Sequence, residues 1–540
     1  MFEIQPVLIA LVTLLVFNYI YRSYIDYTKD VSELFLTNQS VVDATRHPEE
    51  SAVYKSNKLD YSLGLRVGLG IRYDHYKLRN GNLCDIWEVL MNYCKKVDKE
   101  KRIVVKGPKA RNGKPTTGED NLKPHSETFL SLNHRIHVFG NMLKEKNISY
   151  IKINLQLYIT SIEILVIMIA AFTNQVNVEL YDEYESLAEI VDQTTLFVID
   201  SDTDDNQIDV SREIQHSNIY NISTLPPPDN QVQPDFENEY SSIKDKGIAL
   251  TITRKLNTKI LATVEFTQLN IISSLASTLR HLPASQELND KDTLLIVQNH
   301  IPTNDKILND LIKMLAGFIS HSNIIIAHDI KTWKDVYSYQ PAVLSISQEA
   351  LAQFPSTESY INEMNGLTKF IFNQRMVNLV KGKFSSFKVD LGFSSSQKLR
   401  LIYVSKQIQE TMKFSLLQLN QLRCLHSCRV IVELTYYNVI GPIVLTDFYD
   451  YRLIDIANLR SYGCLSQAVE CKLVKLDSRN RGQVYVRGHN IGKTSTKLMV
   501  NGKGIAQDDD NKSVMKQNNG FMPLTNVFGI WGNDGCLYVV

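Results

Sequence analysis

The sequence predicts a mixed α/β fold: layered sheets flanked by helices, a smaller β-rich subdomain behind them, and one membrane-crossing helix in front. Three observations predict it. Between Tyr150 and Ile199, and again between Leu294 and Val404, short apolar runs alternate with stretches of helical spacing. That rhythm belongs to β-α-β units and a largely parallel sheet. Residues 426–540 read as strands and hairpins, with turns at Asn519-Gly520 and Asp534-Gly535. At the other end, Val7 to Tyr21 (VLIALVTLLVFNYIY) is almost entirely apolar.

That apolar run, extended by Ile4 and Ile25, approaches the ~20 residues a bilayer requires. Only Glu3 is charged before it, and no small-residue cleavage site follows, so an uncleaved anchor over 1–28 is expected. Arg22 and Lys29 on its far side place the bulk of the chain in the cytosol. A tether over 29–60 comes next. Leu83 to Val97 and Ser131 to Lys144 carry apolar residues at helical spacing, and Ile103 to Lys106 is a short strand. Ala110 to Pro124, rich in Gly, Pro, Asn and Lys, is a loop. Tyr150–Leu155, Asn177–Tyr181 and Leu196–Ile199 are strands; Ser161–Phe172 and Ser186–Gln193 are the helices between them. The first α/β half is thus 61–200.

Residues 201–246 are expected to be a linker. Asp200, Asp202, Asp204, Asp205 and Asp209 precede Pro226-Pro227-Pro228, and their spacing matches no calcium loop. The second α/β half, 247–425, holds strands at Leu294–Ile301, Ile324–Ile326, Tyr339–Leu344 and Leu399–Val404. Its helices are predicted at Ile307–Ile319 and Ile408–Leu422. Cys424, His426 and Cys428 offer too few, too closely spaced ligands for a structural zinc site, so a packed turn is expected.

Composition excludes some classes. The chain has 540 residues, long enough for two to four compact units. Its 58 Lys plus Arg balance 58 Asp plus Glu, so no basic face announces a nucleic-acid partner. Seven cysteines in 540 residues fit free thiols in a reducing compartment.

The pivotal stretch is Gly247 to Asn270. Its end, Val264-Glu265-Phe266-Thr267-Gln268-Leu269-Asn270-Ile271, resembles the V-x-x-T-H-x-N-[LI] segment of the AMP-forming acyl-CoA synthetase (ANL adenylating) superfamily, in particular long-chain fatty acid–CoA ligases. Further similar places are Leu180-Tyr181-Asp182, His300 at the family's "L-P-x-x-H", and Arg481-Gly482-Gln483-Val484-Tyr485-Val486-Arg487-Gly488. Asn519 to Val527 and Asp534 to Val539 match its two "D-G" motifs. The resemblance implies an acyl-CoA synthetase-like large domain over roughly 60–540.

Departures fall on the positions to which the family gives chemistry. The phosphate loop T-S-G-S-T-G-x-P-K-G corresponds to Arg254 through Thr263, which has no glycine and puts Ala262 at the lysine. A phosphate loop needs glycines so that successive N–H groups turn toward one anion. Arg254, Lys255 and Lys259, with Thr258 between them, either attract phosphate by charge or decorate a strand-turn-strand. Asn438 stands at the family's metal-holding glutamate, and Asn526 at its ribose-binding aspartate. The family's C-terminal lysine-bearing domain is expected to be absent. The resemblance therefore implies a catalytically inactive homologue with no catalytic residues, bound metal or cofactor. It is expected to bind a long-chain fatty acid or acyl-CoA, or to scaffold lipid-metabolic membrane proteins, on the endoplasmic reticulum or lipid droplets. The alternative is a divergent active ligase, using ATP, magnesium and coenzyme A.

Overall fold

The computed structural model describes the chain except residues 1–3, 45, 60–63, 73–76, 108–109, 112–113, 116–123, 183–193, 201–217, 230–235, 237–243, 258–259, 299–301, 387–397, 457–458, 462, 501–502, 507–509 and 540. The helix expected at Ser186–Gln193 lies outside the described residues.

The N-terminal helix runs Ile4–Tyr27. Its segment Leu8–Tyr27 is 20 residues long, 6% buried, and apolar enough to cross a membrane. At ~1.5 Å per residue it spans ~30 Å, the thickness of a hydrocarbon core. The other strongly apolar helix, Ile162–Thr173, is half that length and buries every residue except Glu163. It is a core helix.

Three large sheets build the body. The central one runs, among the described residues, in the order Cys464–Leu465, Val439–Leu445, Arg429–Tyr436, Leu401–Gln407, Val343–Ser347, Thr293–Gln298, Asn323–His328, Arg102–Lys106, His125–Thr128. From Arg429–Tyr436 to Arg102–Lys106 all neighbours are parallel. A second sheet orders Asn218–Asn221, Thr195–Ile199, Tyr150–Asn154, Asn177–Tyr181, Ile248–Asn257, Ile260–Thr267, Lys493–Val500 and Lys503–Ala506. One hydrophobic core joins the two, with Ile153, Leu180 and Phe266 on one side, and Leu294, Ile326 and Ile431 on the other. Helices Leu83–Lys96, Ile162–Thr173, Gln268–Arg280 and Asn304–Ile319 contribute to it. The third sheet is antiparallel and is built mainly from residues after 455, joined by Ser40–Val42 and Tyr54–Ser56.

The sheets take strands across the boundaries read from the sequence. Tether residues 40–56 enter the terminal sheet, and Arg102–Lys106 enters the central one. The 201–246 stretch is not all linker: Asn218–Asn221 pairs in parallel with Thr195–Ile199. The helix expected at 408–422 is Leu416–His426, because Ser415 and Gln418 form a reciprocal capping box that fixes its start. The strand expected from Tyr339 begins at Val343; Pro341 has no N–H for a ladder. Two helices, Thr357–Glu363 and Gly366–Val380, occupy a region to which the sequence reading assigned nothing. All seven cysteines are buried and none is in a disulfide.

Candidate functional site under the inner helix

Helix Asn304–Ile319 is buried at every residue from Asp305 to Phe318. A helix so enclosed is normally apolar all round. This one carries Asp305, Lys306, Asn309, Asp310 and Lys313 at spacings of three and four, so they share a face.

The central sheet answers that face. Side chains alternate along a strand, and Leu294, Ile296, Ile326, Val343, Tyr403 and Ile431 point into the core that holds the helix. The next positions of the same parity, toward the carboxyl ends, are Gln298, His328, Ser345, Ser347, Ser405, Glu433 and Thr435, all buried. A polar band thus crosses five adjacent strands, opposite a polar helix face.

Much of the band is paired. Lys313 Nζ lies 2.5 Å from Glu433 Oε1 and 3.4 Å above the Tyr403 ring. Asn309 Nδ2 donates to Glu433 Oε2 at 3.0 Å. Thr435 Oγ1 and Gln407 Nε2 donate to Asp305 at 2.8 and 2.7 Å. Lys306 bridges to Asp310. His281 faces the Tyr403 hydroxyl at 3.0 Å. Burial pushes the Asp310 carboxyl up to about 6 although Lys306 opposes it, and lowers Lys313 against the pull of Glu433. Burial, then the Lys313 charge, pushes His281 well below its ordinary range.

Part of the band is not paired. Gln298 through both amide atoms, Asn309 Oδ1, Asp310 Oδ2 and Ser345 Oγ have no hydrogen-bond partner among the described residues. Each buried orphan costs ~1–3 kcal/mol. Their grouping is a place where water or a ligand would complete the network. It is also where the order of strands across the sheet reverses. From Thr293–Gln298 the chain moves to Asn323–His328 on one side; from Val343–Ser347 it moves to Leu401–Gln407 on the other. In open α/β sheets, ligands bind at the carboxyl ends of strands that flank such a switch. His300 comes two residues after Gln298 but lies outside the described residues, as do Thr258 and Lys259.

Where does the predicted nucleotide site fall? Ile248–Asn257 and Ile260–Thr267 form an antiparallel hairpin, with Arg254 opposite Ala262 and Lys255 opposite Leu261. The second strand also pairs with Lys493–Val500, placing Ala262 against Thr496. The strand Ile260–Thr267 is therefore paired on both sides, and Arg254–Lys255 on one. Arg254 donates to the Asn304 side chain and the Pro302 carbonyl, at the start of the inner helix. Lys255 and Ala262 are half-buried.

Asn438 sits in the turn between Arg429–Tyr436 and Val439–Leu445, and is buried. Its Nδ2 donates to Met522 Sδ at 3.2 Å, and its Oδ1 has no partner among the described residues. Asn526 is exposed with φ +57°, a conformation that Asn tolerates better than most residues. The structure thus brings Arg254 to the amino end of the inner helix, buries Asn438 against Met522 and leaves Asn526 at the surface. No group of three His, Cys, Asp or Glu among the described residues is placed to hold a metal ion. Cys424 and His426 lie in the last turn of helix Leu416–His426 and not in a connecting turn; His426 packs on Trp333 at 3.8 Å and meets the Tyr337 hydroxyl at 2.6 Å.

Sequence reasoning missed the helix stripe 305–313 and its partners on the sheet. The available signal was charge at helical spacing inside a segment bounded by two core strands.

These sheets and inner helices define a chain with the acyl-CoA synthetase-like fold, preceded by one apolar helix long enough to span a membrane. The chain superposes on the VinN complex with L-aspartate at TM-score 0.55 and 13% identity, covering 88% of this chain and 99% of that one. It is similar to a long-chain-fatty-acid-CoA ligase from Archaeoglobus fulgidus at TM-score 0.54 and 12% identity, covering 88% and 86%. For the O-succinylbenzoate coenzyme A synthetase of Bacillus subtilis the values are 0.52 and 15%, covering 84% and 78%. No family model matches the sequence. A curated Saccharomyces cerevisiae protein of unassigned function, YHR045W, is 23% identical over 595 aligned positions, covering 100% of this chain and 99% of the relative.

Proposed function

We propose that this chain is a membrane-anchored, non-adenylating relative of the long-chain acyl-CoA synthetases. It holds a ligand under the inner helix instead of activating one. The observation that carries the reading is the hairpin at 248–267, whose Arg254–Ala262 and Ala262–Thr496 pairings occupy the backbone a phosphate loop must leave free. Removing one preorganised donor typically costs ~10²–10³ in rate, and here the whole cradle is replaced. The unpartnered amide of Gln298, Asn309 Oδ1 and Ser345 Oγ offer donors and acceptors to the polar end of a fatty acid or acyl-CoA. In this reading the N-terminal helix holds the body on the cytosolic face of the endoplasmic reticulum or a lipid droplet, where it binds lipid or scaffolds lipid enzymes.

The test is calorimetry of the full chain in detergent with magnesium and ATP, beside turnover with a long-chain fatty acid and coenzyme A. The expected result is neither binding nor turnover, with an acyl lipid in the mass spectrum of material extracted from the purified chain. Micromolar ATP binding with acyl-CoA product would replace this reading with that of a divergent active ligase.

A further inference from the structure

Helix Gly366–Val380 lies outside the three sheets and has two unlike faces. One buries Phe372, Arg375 and Leu379. Arg375 fastens that face to the body, donating to the Cys424 carbonyl at 3.0 Å and to Ser427 Oγ at 2.6 Å. The other face leaves Leu367, Phe370, Val377 and Val380 exposed, at 71%, 60%, 49% and 48%. Isolated exposed apolar residues are common; a row of them along one helix face marks a docking surface.

What covers it is indicated by what stands beside it. The helix and the turn after it pack on the carboxyl end of the candidate span. Tyr21 donates its hydroxyl to Asn378 Oδ1 at 2.9 Å, and the Lys383 ammonium lies 4.1 Å over the Tyr24 ring. The Asp30 amide donates to the Gly382 carbonyl at 3.0 Å. Asp30 also ties this junction to the body, pairing with Arg429 at 2.9 Å and accepting from Tyr451 at 3.0 Å. The apolar row is therefore held at the level where the span leaves the hydrocarbon, beside tyrosines of the kind that settle at headgroups.

Charge agrees. The helix carries the exposed Lys369 and no acidic residue, and Lys381 and Lys383 follow it. Between it and the end of the span is a cavity of about 500 Å³, whose charged lining is Arg22, Lys29, Lys381 and Arg452 against Asp26 and Glu33. Basic groups at this depth favour anionic lipids.

We propose that helix Gly366–Val380 is a second membrane contact: it lies in the interface of an anionic phospholipid bilayer with Leu367, Phe370, Val377 and Val380 immersed. Two contacts fix the body's orientation, whereas one span alone leaves it free to rotate. The proposal rests on the reading of Leu8–Tyr27 as a span.

Spin labelling tests it. The seven native cysteines are buried, so a nitroxide reagent goes to an introduced thiol. The full chain carrying Phe370→Cys, Val377→Cys or, as an exposed control, Ser478→Cys is placed in nanodiscs of phosphatidylcholine and phosphatidylserine. Labels at 370 and 377 are expected to be relaxed more by oxygen than by a water-soluble nickel chelate, and the label at 478 the reverse. Nickel access at 370 and 377 equal to that at 478 overturns the proposal while leaving the span intact. Dipolar broadening between labels at 370 also overturns it, in favour of a contact between two copies. A chain that stays outside the discs sinks the anchor reading and this proposal together.

Discussion

Lys313 and Glu433 face each other at 2.5 Å with side chains about 1% exposed. Desolvating two such charges costs several kcal/mol per ion, and their attraction repays it only while both are present. Lys313→Met alone should therefore destabilise by about 3–5 kcal/mol, and Glu433→Leu alone similarly. The double variant is expected close to wild type, as chemical denaturation followed through a double-mutant cycle will show. Asp310 makes a pH prediction. Its folded carboxyl titrates near 6, above its ordinary value of 3.8. Between those values the folded state holds a proton that the unfolded chain has released, so stability from this group is lost as pH rises toward and through 6. Melting temperatures across pH 4–7 should fall more steeply for wild type than for Asp310→Asn; parallel curves would show that Asp310 ionises normally. None of these roles was legible in the sequence, where a lysine or aspartate on a helix reads as a solvated face. Burial reverses that reading, and burial is set by the sheet lying opposite.

At the scale of elements, the segment Thr267-Gln268-Leu269-Asn270 shows what a family-like motif does for the fold. Thr267 caps helix Gln268–Arg280 through the Asn270 N–H, and Asn270 reaches back to the Thr267 N–H: a reciprocal box. Asn270 Nδ2 also donates to the His489 carbonyl at 2.6 Å. These contacts serve the fold. Thr267→Ala should cost about 1 kcal/mol and Asn270→Ala more, since it also releases His489; equal losses in calorimetric unfolding would refute the second contact. Arg254 belongs to the same scale. It is spent on Asn304 and Pro302, so Arg254→Ala is expected to lower the melting temperature and leave the heat of ATP titration unchanged. The hairpin itself was legible, since alternating residues without glycine cannot turn a phosphate loop. Helix Gly366–Val380 was not, because its exposed apolar residues break the pattern of a surface helix.

The whole molecule adds the question of topology. Asn38, Asn147 and Asn221 each begin an N-x-Ser acceptor, and Asn38 and Asn147 are exposed. With Arg22 and Lys29 after the span, the body is expected in the cytosol, so the chain expressed in a eukaryotic cell should show no glycosidase-sensitive mobility shift. A shift would place the body in the lumen. The sequence by itself determined the α/β class, the apolar N-terminal helix and most strands near Tyr150–Asn154, Asn177–Tyr181 and Asn323–His328, because periodicity and turn residues are local. Only the tertiary structure decided which sheet each strand joins: residues 40–56 in the terminal sheet, Arg102–Lys106 in the central one, Lys493–Val500 beside the hairpin. It also decided the candidate site, since the helix carrying Asp305 and Lys313 and the strands carrying Gln298 and Glu433 are separate segments. They meet only when a helix enclosed on all sides has nowhere else to put its charges.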